Sequence, residues 1–168
     1  MKPMIKELPV GELSQEVFSP YGSVLDAGGM EPKMREDVFT FWDGLAEMEA
    51  RGKLTVALLE VVKRPPEFSK LERHVKTEEV FFAIDGPVIV LVGTPTPGRD
   101  LPKPDTVKAF RLEPGKGVHL KVGAWHWILF PLQPRARLLV LFRKGTPDED
   151  LEIKDLHETG GITFKIQV

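Results

Sequence analysis

From Leu54 to the end of the sequence, short apolar runs alternate with polar segments that contain proline or glycine. Runs of this length, rich in Val, Ile, Leu and Phe, are typical of β-strands. Eight of them follow one another: LTVALLEVV, EVFFAI, PVIVLVG, VKAFRL, GVHLKV, WHWILFPL, ARLLVLFR and ITFKIQV. So many strands predict a closed or sandwiched antiparallel sheet, because closure removes exposed strand edges. Asp85 and Gly86 separate two of the runs and both tolerate positive φ, so we predict a β-hairpin there.

The strand pattern defines the expected domain organisation. Residues 1–52 do not share it and are predicted to form an N-terminal extension with short strands and helices, whereas 53–168 form the barrel. The proline-rich segment 95–104 predicts a long exposed loop rather than a linker, because strand patterning resumes directly after it. A single domain over 1–168 is therefore expected.

Within the extension, three local structures are predicted. Residues 13–18 favour one helical turn, and an extended pair of segments is expected around Val24 and Phe39. The run 45–51 (LAEMEAR) contains good helix formers and ends before Gly52. We predict a short surface helix there.

Charge and cysteine content exclude several functional classes. The 23 basic and 25 acidic side chains give a net charge near −2, which does not fit a protein that binds nucleic acid or anionic membranes. The absence of cysteine excludes disulfides, thiolate catalysis and cysteine-ligated zinc. Histidines and carboxylates are therefore the candidate metal ligands. The expected partner is a small molecule or a second copy of the chain.

The sequence also bears on location. MKPMIKELPV at the start lacks the apolar stretch of a signal peptide, and the runs VIVLVG and LLVLF are far too short to cross a bilayer. We therefore predict a cytoplasmic protein.

Two segments carry residue types suited to metal binding and acid–base catalysis. They are 72–79 (ERHVKTEE) and 115–126 (GKGVHLKVGAWH). Residues two apart on a strand face the same side, so Glu72 and His74 are expected to point into the barrel while Arg73 points out. His126 is expected to face them from another strand.

Together these segments predict a site built from two imidazoles and one or two carboxylates. His74, His126, Glu72 and Glu79 form a ligand set suited to Mn, Fe, Ni or Zn, with open positions for a substrate. A divalent metal is therefore the candidate cofactor. The alternative is that these buried groups only hydrogen-bond one another. We favour the functional interpretation for the two histidines, whereas strand carboxylates are often solvated ends.

The remaining histidines and the tryptophans are expected to have structural positions. His119 lies seven residues before His126, so alternation places them on opposite faces, and we expect His119 at the surface. His157 lies in a polar, acidic stretch and is expected to be solvated. The three tryptophans, Trp42, Trp125 and Trp127, are expected to pack in the core or an interface. Trp125 and Trp127 are expected to share the face opposite His126.

The two segments resemble the two sequence motifs of the cupin superfamily. The first motif reads His-x-His, three or four residues, Glu, six residues, Gly, and 72–86 matches every spacing with Glu72 in place of the first His. The second reads Gly, five residues, usually Pro, then Gly and His three further on; 115–126 matches it with Lys121 in place of Pro. The likeness implies an all-β fold, a double-stranded β-helix or jelly-roll barrel.

Over nearly its whole length the chain also resembles the bacterial ureidoglycolate lyase family, formerly called ureidoglycolate hydrolases. The likeness rests on collinear motifs: LSQEVFSPYGSVL, LERHVKTEEVF, KPDTVKAF, GKGVH and a Trp-His pair. Membership would imply an enzyme, usually a homodimer, that splits ureidoglycolate into glyoxylate and urea at the end of allantoin breakdown in purine catabolism.

The implied chemistry needs one base, one acid and a cation that holds the substrate carboxylate. On this interpretation His126 or His74 is the base, and Glu72 or Glu79 is the acid or a metal ligand. Lys121 is the expected carboxylate clamp.

The chain departs from the family pattern at several positions. Where the family typically reads Asn-Tyr-His and then Trp-His-His, this chain has His-Leu-Lys at 119–121 and Trp-His-Trp at 125–127. Glu79 replaces a Gln and provides the carboxylate of a metal-binding cupin. Two alternatives therefore stay open. One is a metal-dependent cupin enzyme, such as an isomerase or dioxygenase, acting on another small organic acid or sugar; the other is a non-catalytic cupin that binds a metabolite or only dimerises.

Overall fold

The computed structural model describes residues 2–49 and 51–168. These residues form fifteen strands, three short α-helices and one 3₁₀ turn. The helices are α1 (Gln15–Phe18), α2 (Thr146–Glu149) and α3 (Leu156–Gly160), and the 3₁₀ turn is Pro104–Thr106. The strands are β1 (Met4–Gly11), β2 (Gly22–Leu25), β3 (Met34–Glu36), β4 (Phe39–Phe41), β5 (Leu54–Val62), β6 (Glu67–Phe68), β7 (Lys70–Arg73), β8 (Glu79–Ala83), β9 (Val88–Gly93), β10 (Lys108–Leu112), β11 (Gly117–Leu120), β12 (Trp125–Pro131), β13 (Arg135–Arg143), β14 (Glu152–Asp155) and β15 (Ile162–Gln167). In the described part of the chain, no helix has the length and hydropathy needed to cross a lipid bilayer.

Two large sheets build the molecule. The eight-stranded sheet has the order β14-β7-β12-β9-β10-β1-β15-β6, and the five-stranded sheet has the order β2-β11-β8-β13-β5. Strands β3 and β4 form a separate hairpin. The inner faces of the two sheets pack together around one core, to which Val90 and Leu112 contribute from one sheet and Phe81 and Val140 from the other. This all-β architecture with a few short helices confirms the predicted cupin-type fold class.

A second core lies on the other face of the eight-stranded sheet. Strands β6 and β7 belong near opposite ends of that sheet, yet only Ser69 separates them in the chain, so the sheet curls back on itself. Trp125, Phe164 and Leu71 are fully buried in this second core. Strand β9 has a core on each face, which explains why its sequence VIVLVG is continuously apolar rather than alternating.

All eight apolar runs form strands, as predicted, but the pairing is not wholly antiparallel. Strand β1 lies parallel to both β10 and β15. Strand β2, also from the N-terminal segment, is an edge strand of the five-stranded sheet. The first fifty-two residues therefore supply strands to both sheets. The predicted helical turn is confirmed as α1, and the segments around Val24 and Phe39 are extended, as β2 and β4. Their predicted pairing is wrong, because β2 pairs with β11 and β4 pairs with β3.

The hairpin predicted at Asp85 and Gly86 is wrong. The chain bends there, but β8 pairs with β11 and β13 whereas β9 pairs with β10 and β12, so the bend carries the chain from one sheet to the other. Neither residue has a positive φ. The Asp85 carboxylate instead accepts hydrogen bonds from the backbone N–H and the guanidinium of Arg137, at 2.8 and 2.6 Å. Pro87 also lacks the N–H that a hairpin ladder would use.

The helix predicted over 45–51 is also wrong for residues 45–49 and 51, and Ala50 lies outside the described residues. A run this short is below the roughly 12 residues that an isolated helix needs, so tertiary contacts decide its conformation. The backbone N–H of Glu49 donates to the Glu78 carboxylate at 2.8 Å, which fixes this segment beside the start of β8.

Arg64 ties the end of β5 to an irregularity in β12. The register between β12 and β9 shifts between Trp127 and Phe130, and such a bulge leaves backbone groups without ladder partners. The Arg64 guanidinium donates to the carbonyls of Ile128 and Leu129, at 2.6 and 3.1 Å, and lies 5.5 Å from the centre of the Phe130 ring. Arg64 therefore satisfies the bulge and holds the two sheets together at that edge.

Replacing Arg64 with Met should lower the free energy of unfolding by about 2 kcal/mol, because two bulge carbonyls lose a charged donor. Urea denaturation monitored by tryptophan fluorescence measures the change. Arg99→Met, in the exposed loop between β9 and β10, is the control and should change stability by less than about 0.5 kcal/mol. Equal stability of the two variants would show that the hydrogen bonds from Arg64 to the bulge do not contribute to stability.

A second prediction concerns the close contact between β2 and β11. A Cβ atom at Gly22 would lie 1.7 Å from the carbonyl oxygen of His119, so Gly22→Ala must displace β2 and should cost about 3 kcal/mol. At Gly11 an added Cβ would lie an ordinary 3.6 Å from Phe110, and Gly11→Ala should be tolerated. Thermal denaturation followed by circular dichroism compares the two variants. A similar melting temperature for both would contradict this packing.

Candidate metal centre

Four acidic and imidazole side chains meet where strands from both sheets face each other. Glu72 lies on β7 and His74 directly follows that strand, Glu79 begins β8, and His126 lies on β12. Glu72 and His126 are direct partners across the β7–β12 ladder. The two-residue spacing of Glu72 and His74 therefore brings them to one face, as the sequence predicted.

The Glu79 carboxylate lies between the two imidazoles. Its Oε2 atom is 3.1 Å from Nε2 of His126 and 3.2 Å from Nε2 of His74. Oε1 of Glu72 lies 3.3 Å from the same nitrogen of His126. One ligand atom each of Glu72, His74 and His126 lies within 4.8 Å of the others. His74, Glu79 and His126 are buried, and Glu72 is half-buried.

Backbone carbonyls orient both imidazoles toward this common point. Nδ1 of His74 lies 2.6 Å from the carbonyl oxygen of Asp150, and Nδ1 of His126 lies 3.1 Å from that of Ala124. A carbonyl oxygen only accepts, so each Nδ1 carries the donated proton and each Nε2 faces the cluster. Metal-binding histidines are held in this way by their second nitrogen.

Burial and charge act in opposite directions on the pKa values of the cluster. Burial alone would lower the pKa of His126, but the charge of Glu79 and the contact with Glu72 raise it above its usual value. Burial and the charge of His126 would lower the pKa of His74, but contact with Glu79 and with the Asp150 carbonyl together raise it. Burial would raise the pKa of Glu79, but the charges of His126 and His74 lower it. The three groups therefore titrate as one unit, and a metal that binds here displaces imidazole protons.

The atoms at the centre of the cluster fit a divalent metal. Oε2 of Glu79 and Nε2 of His126 are fully buried and have no aligned hydrogen-bond partner among residues 2–49 and 51–168. Leaving such atoms unsatisfied is costly, and a metal ion would accept one lone pair from each of them. Two imidazole nitrogens and one or two carboxylate oxygens are a ligand set typical of Zn, Mn, Fe or Ni sites.

Asp150 positions the segment that carries His74, and sequence reasoning did not identify it. Its carboxylate accepts the backbone N–H groups of Val75 and Lys76, both at 2.8 Å, while its carbonyl binds the His74 ring. Asp150 is 4% exposed. Its acidic stretch, PDEDLE, is typical of a solvated segment, so only the fold shows that this one carboxylate is buried.

Arg73 points away from the cluster, as predicted from strand alternation. Its guanidinium lies 4.6 Å from the Trp125 ring centre and binds Glu152 at 2.7 Å. Trp125 is fully buried and donates to the Thr96 hydroxyl at 2.9 Å. Core packing is confirmed for Trp125 and for Trp127, which contacts the second core. Trp42 is half-buried and donates to the Met30 carbonyl at 3.0 Å.

Other candidate residues lie elsewhere. Lys121 is exposed and its ammonium donates to the Ser19 carbonyl at 2.7 Å, so the structure does not bring it to the cluster. His157 is exposed, as predicted. The surface position predicted for His119 is wrong: it is 5% exposed, and its Nε2 lies 3.2 Å from a Glu78 carboxylate oxygen. All four residues of its strand, β11, are buried, so the outward face of the strand is covered as well as the inward one.

A cavity of about 210 Å³ opens beside the cluster. It lies where β5, the edge of the five-stranded sheet, faces β12 of the other sheet. Glu72, Glu79 and His126 all line it. The cluster is therefore accessible to a small ligand.

Comparison with known proteins assigns the chain to a family. The model of the ureidoglycolate lyase family matches residues 5–162. The chain belongs to the ureidoglycolate lyase family. The resemblance inferred from the collinear sequence motifs is thereby confirmed.

Individual relatives within this family are moderately similar. Ureidoglycolate lyase 2 of Rhizobium meliloti (strain 1021) is 28% identical over 146 residues, covering 83% of this chain and 87% of its own. The ureidoglycolate lyase of Stutzerimonas stutzeri (strain A1501) is 29% identical over 149 residues, covering 84% and 86%. Among solved structures, oxalate decarboxylase from Bacillus subtilis aligns with a TM-score of 0.43 and 16% identity over 64% of this chain; the chain spans 25% of that protein's length.

The geometry of the cluster predicts the effect of removing one imidazole. His126→Ala should lower the affinity for Zn²⁺ or Mn²⁺ by roughly 100-fold or more, because it deletes the nitrogen closest to both carboxylates. Isothermal titration calorimetry and elemental analysis of the purified variants measure this loss. His157→Ala, at an exposed position, should bind metal like the unchanged protein. Unaltered metal affinity in a folded His126→Ala variant would exclude a metal centre at this cluster.

Proposed function

We propose that the chain is a ureidoglycolate lyase that converts ureidoglycolate into glyoxylate and urea. The observation that carries the proposal is the cluster of Glu72, His74, Glu79 and His126, three of which line one cavity, in a chain of this family. Groups suited to acid–base catalysis and to metal binding occur together in this cluster.

The reaction needs one proton to move between two atoms of the substrate. The substrate carbon carries a hydroxyl, a carboxylate and a ureido nitrogen. Removal of the hydroxyl proton forms the aldehyde C=O bond, the C–N bond breaks, and its electron pair passes to the nitrogen. That nitrogen takes up a proton and leaves as urea, so no net proton is gained or lost. A single group that accepts the first proton and returns it to nitrogen suffices.

Glu72 is the residue proposed to carry this proton. It is the least buried member of the cluster and lines the cavity, so its carboxylate reaches a ligand from the side. His74, Glu79 and His126 are proposed to hold the metal, since they are buried and their ligand atoms already lie 3.1 to 3.2 Å apart around Glu79.

The substrate carboxylate needs a positive charge. Lys121, the expected clamp, binds the Ser19 carbonyl instead, and no lysine or arginine is among the described residues that line the cavity. A bound divalent metal would supply that charge and would also lower the pKa of the substrate hydroxyl. The resemblance further implies that the protein is a homodimer and that it acts at the end of allantoin breakdown. We include the homodimer and this metabolic role in the proposal.

A metal-dependent reaction on a different small organic acid is the second candidate. It is favoured by Glu79, which provides a carboxylate where the family pattern typically has Gln. The two candidates share the metal centre and differ in the acid that is converted.

Activity of the Glu72→Gln variant tests the assigned role. Glyoxylate release from ureidoglycolate should fall by about 10²- to 10⁴-fold in kcat, because the proton carrier is lost, while metal content is retained. Glu67→Gln, on the exposed face of β6, is the matched control and should be fully active. The proposal fails if the unchanged protein, supplied with Mn²⁺, Fe²⁺, Ni²⁺ or Zn²⁺ in turn, releases no glyoxylate above the spontaneous rate.

A further inference from the structure

The walls of the cavity beside the metal centre are mainly hydrocarbon. Nine of its twelve lining residues are apolar, and those that face the first core include Leu59, Phe81, Val140 and Phe142. Phe81, Val140 and Phe142 are almost fully buried, so their packing fixes the shape of this wall. The cavity is therefore a preformed apolar space rather than a solvated cleft.

All polar side chains that line the cavity belong to the metal centre. They are Glu72, Glu79 and His126, and the described lining residues include no serine, threonine, asparagine, glutamine, lysine or arginine. A ligand can thus place only one polar head at the cluster. Any further polar group placed against the wall would lose its hydrogen bonds to water without replacement, which costs about 1–3 kcal/mol per group.

The apolar surface continues outward from the cluster to the mouth of the cavity. Ile128 lines it and is 44% exposed, so it forms part of the rim. A hydrocarbon group that extends from the cluster toward solvent can therefore contact the apolar wall and then Ile128. Burial of such a group is favourable by roughly 0.8 kcal/mol for each methylene.

We propose that the site selects small α-substituted acids that carry a hydrocarbon group, with the acid head at the metal centre and the hydrocarbon against this wall. The inference rests on the proposed function for the role of the metal centre and deepens it by naming the substrate class. Ureidoglycolate supplies the acid head of this class, and a ureido or hydroxy acid with an added alkyl substituent should bind more tightly because it also fills the apolar part of the cavity.

Direct binding of a homologous acid series tests the inference. Glycolate, lactate, 2-hydroxybutyrate and 2-hydroxyhexanoate are titrated into the metal-loaded protein by calorimetry. Affinity should increase about fourfold per added methylene until the cavity is filled. Equal affinity across the series, or weaker binding of the longer acids, would overturn the inference.

Two variants locate the effect in the cavity wall. Leu59→Thr makes the wall polar and should reduce the gain in affinity for each added methylene. Leu139→Thr changes an exposed, outward-facing leucine on the neighbouring strand and should leave that gain unchanged. Val140→Thr keeps the shape of the side chain and replaces Leu59→Thr if that variant does not fold. If affinity still increases with each added methylene in a folded wall variant, the hydrocarbon group binds elsewhere.

The result is separable from the proposed function. Glyoxylate release from ureidoglycolate is measured on the same protein. Normal cleavage of ureidoglycolate together with equal affinity for all acids refutes only the hydrocarbon preference. Affinity that increases with acid length, without cleavage, supports the preference and removes ureidoglycolate as the substrate.

Discussion

The position of the Glu79 carboxylate between two imidazoles is the constraint on which the rest of this structure depends. A buried carboxylate is costly unless positive charge or hydrogen-bond donors surround it, and Glu79 is only 7% exposed. His74 and His126 reach it from strands of the opposite sheet, so the two sheets must face each other at this point. Without His74 and His126 beside it, the negative charge of the buried Glu79 carboxylate would not be compensated. The same arrangement leaves atoms that a metal ion satisfies, so the requirement for stability and the requirement for chemistry coincide.

Several contacts away from the cluster keep this approach in place. Asp150 binds the peptide groups that follow His74 and also the ring of His74, so the loop and the imidazole are fixed by one residue. Arg64 holds the bulge of β12 that follows His126. Bulges beside active sites redirect side chains, and here the bulge lies where the cavity opens. Each of these residues is distant in sequence from the histidine that it supports.

That distance explains what could and could not be predicted from the sequence. Strand positions and the shared face of Glu72 and His74 follow from periodicity, which is local, and all eight apolar runs are strands. The change of sheet at Gly86, the burial of His119 and the role of Asp150 depend on which strands become neighbours, and periodicity carries no information about neighbours. The helix expected at 45–51 is likewise absent from the described residues because of a contact distant in sequence: the hydrogen bond to Glu78 outweighs a weak local helix preference. The cluster of histidines and carboxylates was predictable only because its residues follow a known spacing.

The apolar cavity gives a physical meaning to one departure from the family pattern. Where the family typically continues Trp-His with a second histidine, this chain has Trp127, and Trp127 lines the cavity beside His126. A histidine there would add a further polar group next to His126, whereas the Trp127 side chain packs against the second core. Lys121 likewise provides no cation to the site. Both differences act in the same direction: they leave Glu72, Glu79 and His126 as the polar side chains among the described residues that line the cavity. Glu79 stands where the family typically has Gln, so the departures add a carboxylate at the centre of the cluster while the wall beside it stays apolar.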